Sequence, residues 1–136
     1  MKKVELITIL TIGILSSCSS NNDSTEAQKD SSFAYKIVSA KGYDNQLKEV
    51  ELPFTIDKDS KLTYNKVGQA IDLTVYKNNS LVTSTFIVTS YNNKTYHTIV
   101  ESDDNNTYDF VLVNGKIENN IFYKNVFSAK VVFTIE

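Results

Sequence analysis

From Phe33 to the last residue the apolar side chains recur at every second position, and no i, i+3, i+4, i+7 stripe lasts long enough to build a helix. A period of two turns one side of an extended chain toward a core and the other toward water, so the pattern restricts this region to strands. Ile71, Leu73 and Val75 alternate with Asp72, Thr74 and Tyr76, and Ala129, Val131, Phe133 and Ile135 alternate with Lys130, Thr134 and Glu136. Val50, Leu52, Phe54 and Ile56 share one face in the same way, opposite Glu49, Glu51, Thr55 and Asp57. Less regular runs at 33–39, 81–89, 95–100, 107–113 and 116–123 bring the expected strand number to about eight.

Between these runs lie polar breaks: Lys77-Asn78-Asn79-Ser80, Tyr91-Asn92-Asn93-Lys94, Asp103-Asp104-Asn105-Asn106 and Val113-Asn114-Gly115-Lys116. Asn-Gly between two apolar runs predicts a type I′ hairpin, because both residues accept positive φ. Pro53 lacks an N–H and falls on the outward register of its run, which predicts an edge or a bulge. Short turns join neighbouring strands in antiparallel fashion, and the expected fold is an all-β antiparallel sandwich of immunoglobulin-like type over residues 33–136. The Trp and the disulfide pair of antibody domains are missing.

The segment before Phe33 has a different character. Met1-Lys2-Lys3 is basic, and Leu6–Leu15 is an apolar run of ten residues, too short to span the roughly 30 Å hydrocarbon core of a membrane, which takes about 20. Basic start and short apolar run together predict a secretion signal over residues 1–17. Leu15-Ser16-Ser17-Cys18 resembles the lipobox of bacterial lipoproteins, a branched apolar residue and two small ones before an obligatory cysteine. The resemblance implies that the thiol of Cys18 accepts a diacylglyceryl group and that a lipoprotein signal peptidase cuts before it. Each buried methylene of such an anchor contributes about 0.8 kcal/mol, so two or three acyl chains hold a protein on a membrane permanently. Residues 18–32 then contain no apolar side chain larger than Ala27 beyond the cysteine, and read as a tether reaching about 20 Å. The implied location is the cell envelope, on the outer face of the cytoplasmic membrane or on the outer membrane.

Composition excludes several functions. The net charge is −2, with 14 lysines, no arginine and no basic face, which argues against a nucleic-acid partner. Cys18 is the single cysteine, so no intrachain disulfide and no Cys-x-x-Cys motif can form. Glu101, Asp103, Asp104, Asn105 and Asn106 are the densest oxygen ligands, but an EF-hand loop begun at Asp103 would need Gly and Glu where Tyr108 and Asn114 stand. Asp57-Lys58-Asp59-Ser60 fails the same comparison, and both stretches read as solvated turns with no metal or other cofactor. His97, the one histidine, could serve a Ser–His–acid triad, yet no Gly-x-Ser-x-Gly marks a nucleophile, and an outward strand position is the simpler reading. Glu49 and Glu51 stand roughly 7 Å apart on one strand face, as an exposed pair and not as opposed groups in a cleft. Of the eight tyrosines, Tyr64, Tyr76, Tyr91 and Tyr96 are candidates for a binding patch, since tyrosine offers area at low entropic cost.

Val50-Glu51-Leu52-Pro53-Phe54-Thr55, Val67-Gly68-Gln69-Ala70-Ile71 and Val113-Asn114-Gly115-Lys116 resemble stretches of the MmpS-type accessory proteins. These are small envelope β-sandwich domains that assist lipid-exporting transporters. The likeness covers about a third of the domain, and this chain has a lipobox in place of a membrane helix. The expectation that follows is a non-enzymatic, membrane-anchored binding or adapter module for an envelope protein or polymer. A toxin-immunity or phage-exclusion lipoprotein and a small envelope hydrolase are the alternatives.

Overall fold

The computed structural model describes residues 31–136, of which Ser32–Glu136 form one compact unit. The expected signal peptide, Cys18 and nearly all of the tether lie outside the described residues. Nine strands follow one another: β1 (Phe33–Tyr43), β2 (Glu49–Val50), β3 (Lys61–Asn65), β4 (Ala70–Lys77), β5 (Ser80–Asn92), β6 (Thr95–Val100), β7 (Asp103–Val113), β8 (Lys116–Tyr123) and β9 (Val126–Ile135). All pairings are antiparallel, and from β3 to β9 each strand pairs with the next.

The ring closes through β1. Its first half, Phe33–Lys36, pairs with β3, while Ile37–Tyr43 pair with β9. The domain is therefore a closed eight-stranded up-and-down barrel, with the two-residue β2 added at the rim of β1. This corrects the expected immunoglobulin-like sandwich, and with it the sandwich implied by the MmpS-type resemblance. A half-buried strand alternates identically in either architecture; what decides is the pairing of residues 37–43 with 130–135, almost a hundred positions away. Register shifts at Ile37/Ser39, Val88/Ser90, Thr98/Val100 and Ile121/Phe122 each bend a strand and sharpen its twist, which helps a meander curl back on itself.

The tight turns follow from residues that tolerate positive φ. Asn114 (46°) and Gly115 (76°) join β7 to β8 as a type I′ turn would, and Asn78-Asn79, Asn93-Lys94 and Lys124-Asn125 repeat the pattern elsewhere. The Asp103–Asn106 break is displaced: these residues open β7, and the turn falls on Glu101-Ser102.

Inside, Ile37, Leu62, Ile71, Tyr96, Phe110, Ile117 and Phe133 are fully enclosed, with Leu73, Val75, Phe86 and Val88 beside them. Eight strands give a lumen just wide enough for such side chains. The run 49–57 departs most from expectation, since only Glu49–Val50 form a strand and Thr55 makes an isolated bridge to Tyr76. The alternation nevertheless serves the core. Leu52, Phe54 and Ile56 are half-buried while Glu51, Pro53 and Thr55 are exposed, and the Phe54 ring lies 6.3 Å from that of Phe133, nearly parallel. This clasp crosses from the rim of β1 to β4, where β3 is too short to line the whole gap. Gly42 makes room for it, because a Cβ there would stand 2.6 Å from Leu52 Cδ2.

Candidate functional site

The two-residue turn at Asn114-Gly115 sets the β7–β8 register, which places Thr107 opposite Phe122 and Asp109 opposite Asn120. The shifted β6–β7 register places His97 opposite Asp109, and the β5–β6 ladder places Ser90 opposite His97. All of these side chains share the outer face of the wall, since their neighbours Tyr96, Thr98 and Phe110 are buried within. His97, Thr107, Asp109 and Phe122, together with Thr89, Ile99 and Asn125, line an open hollow of about 280 Å³.

His97 Nδ1 lies 2.9 Å from Asp109 Oδ1, and a carboxylate can only accept, so the ring places its N–H there. In the neutral imidazole Nε2 is then an acceptor facing outward. No described residue hydrogen-bonds His97 Nε2. Thr89 Oγ1 donates to the His97 backbone carbonyl at 3.0 Å, and Ser90, although in register, makes no hydrogen bond to the ring. Asp109 Oδ2, the Thr107 hydroxyl and the Asn125 amide likewise have no partner among the described residues. Phe122 supplies the aromatic surface; it meets Phe127 edge to face, with centroids 6.0 Å apart, which fixes its ring plane.

A second, larger groove of about 650 Å³ lies on the outer face of β1, β3, β4 and β5. Its polar groups mostly serve one another. The Thr74 and Thr83 hydroxyls bond at 2.8 Å and Lys58 Nζ pairs with Asp59 at 3.1 Å. Lys36 stands opposite Lys61 on one side and opposite Glu136 on the other.

The four candidate tyrosines do not form one surface. Tyr64, Tyr91 and Tyr96 gather with Phe33 at one end of the barrel, with centroids 4.8 Å apart for Tyr64–Tyr96 and 4.4 Å for Tyr91–Tyr96. Tyr64 and Tyr96 are buried, at 3% and 2% exposure, and work as core. Tyr76 is at the far end of β4, where it pairs with Thr55. Glu49 and Glu51 are exposed at the rim.

Asp103 is occupied by its own loop. It accepts from the Asn105 and Asn106 backbone N–H groups at 3.1 and 3.2 Å, from Asn106 Nδ2 at 2.8 Å and from the Tyr108 hydroxyl at 3.0 Å. The Asn106 side-chain bond, with smaller contributions from the other donors, holds this carboxyl below the usual range, while burial opposes them. Burial, with the hydrogen bond to Asp103 and its negative charge, pushes the Tyr108 phenol up to about 12. Among the described residues no group of three or more His, Cys, Asp or Glu side chains could hold a metal ion. No helix among them is long and apolar enough to cross a membrane.

Sequence reasoning weighed His97 and set it aside as an outward strand residue in favour of the tyrosines, and did not consider Thr107, Asp109, Phe122 or Asn125. The register set by Asn114-Gly115 could have paired Thr107 with Phe122 in advance. The irregular β6–β7 pairing that brings Asp109 to His97 left no comparable mark. No protein-family model, curated protein or solved structure is significantly similar to this chain.

Proposed function

We propose that the protein is a non-catalytic binding module of the cell envelope, tethered through a lipid on Cys18, and that it engages its partner through the hollow around His97 and Phe122. One observation carries this reading: His97, Asp109, Thr107 and Asn125 line one hollow with Phe122, and no described residue hydrogen-bonds His97 Nε2, Asp109 Oδ2, the Thr107 hydroxyl or the Asn125 side chain. A few placed polar groups around an apolar surface are what a recognition site requires. Acyl or phosphoryl transfer would require more. Among the described residues, His97 has an orienting carboxylate but no hydroxyl bonded to Nε2, and neither Lys nor Arg lines the hollow to stabilise a developing anion. The tether supports the same reading, since holding a domain at one surface raises its effective concentration for partners there.

The test is photocrosslinking in living cells with a light-activated residue at position 126, where Val126 is 68% exposed beside Asn125, and with one at position 67 as control. Val67 is 94% exposed and lies in the β3–β4 turn, at the opposite end of the barrel from Asn125. A discrete adduct from position 126 and none from 67 is the expected result. Equal or absent crosslinking at the two positions would remove the reading.

A further inference from the structure

We infer that the ligand of this hollow is a neutral saccharide, an inference that rests on the binding reading above and names its chemistry. A pyranose has an apolar C–H face and a rim of hydroxyls that both donate and accept. The hollow offers the complement: the half-buried ring of Phe122 for the face, and for the rim two acceptors (His97 Nε2 and Asp109 Oδ2) beside two groups that do both (Thr107 and Asn125).

Charge narrows the class. Among the described residues, Asp109 and its partner His97 are the only titratable side chains lining the hollow, and no lysine is among them. An anionic polymer would meet a carboxylate with no permanent cation beside it. A phosphate or uronate has a better match in the groove that contains Lys36 and Lys61. Peptides are disfavoured by the backbone. β5, β6, β7 and β8 are each paired on both edges, so no peptide can add as a strand here, and the hollow has no apolar channel to take a helix. Recognition at this wall depends on side chains alone, which suits hydroxyls at the end of a short ligand.

The site can be disarmed without disturbing the fold. Asn125 has φ 68°, a conformation glycine adopts freely, so Asn125→Gly removes the amide and keeps the turn. Thr107→Val removes a hydroxyl at constant shape and suits a strand. The test is a calorimetric and saturation-transfer NMR titration of the full-length protein in detergent micelles with cellobiose, chitotriose, maltotriose and mannobiose. Polygalacturonate serves as the anionic comparison. Saturable binding of at least one neutral sugar is expected, weakened at least about tenfold by Phe122→Leu and by the double variant Thr107→Val/Asn125→Gly, and unchanged by Lys61→Ala. No saturable neutral sugar, or binding that survives the double variant, would overturn the inference. So would preferential binding of polygalacturonate that Lys61→Ala abolishes. If the sugars fail while the position-126 crosslink persists, the saccharide is wrong and the binding site stands; if both fail, both readings fall together.

Discussion

Replacing Phe133 by alanine probes the closure of the barrel at its most demanding point. Phe133 is fully enclosed, pairs with Ala40 across the closing seam and with Ile117 on the other side, and carries the clasp residue Phe54 on its ring. Removing an enclosed phenylalanine costs about 3–5 kcal/mol in transfer free energy and cavity formation. A domain with a total stability of about 5–15 kcal/mol loses a large part of it. At about 4–8 °C per kcal/mol for a unit near this size, the midpoint of thermal unfolding falls by at least about 12 °C. Phe54→Ala costs less, about 1–3 kcal/mol, because that side chain is only half-buried. The informative quantity is the coupling between the two. Nearly parallel rings 6.3 Å apart predict a non-additivity of about 0.5–1.5 kcal/mol in a double-mutant cycle. Urea unfolding followed by far-ultraviolet circular dichroism measures all four corners. Additivity within about 0.5 kcal/mol would refute the claim that the 51–57 segment completes the core.

Gly115→Val separates backbone strain from packing, since a Cβ there meets nothing within 4 Å; its cost of about 1–2 kcal/mol comes from the positive φ alone, and an unchanged urea midpoint would reject the turn. On titration at 295 nm Tyr108 should ionise near pH 12, above an ordinary phenol, and Asp103→Asn should bring it down. Because its folded value is raised, the stability it contributes is complete below about pH 10 and disappears as the pH rises through about 12. The Asp103 carboxyl is shifted the other way, so its contribution is present above the ordinary carboxylate value of about 4 and is lost as pH falls through its depressed folded value. Cys18→Ala should abolish labelling by radioactive palmitate and leave the precursor uncut, and continued labelling would exclude Cys18 as the lipid-bearing residue.

The local rules in this sequence were legible because they are carried by neighbours in the chain. Ile71, Leu73 and Val75 face inward as their alternation dictates, β6 and β8 match the expected runs, and Asn114-Gly115 makes its turn. Residues 61–65 were missed because two inward side chains, Leu62 and Tyr64, give too short a pattern to stand out. The clasp was misread as a strand because alternation reports burial on one side and says nothing of backbone pairing. Closure was hidden for a similar reason: it depends on residues 37–43 meeting 130–135, a contact with no local signature. The same holds for the site. His97 was visible as the lone histidine, whereas its link to Asp109 exists only through a register shift between Thr98 and Val100.

The binding reading is decided by mapping amide chemical shifts on the isotope-labelled full-length protein during titration with solubilised envelope from its own cells. Saturable shifts confined to Thr89, His97, Thr107, Asp109, Phe122 and Asn125 are expected, with the added material recovered chemically unchanged. Shifts centred on Lys36, Lys61 and Thr83, or cleavage of the material that stops on His97→Ala, would contradict that reading.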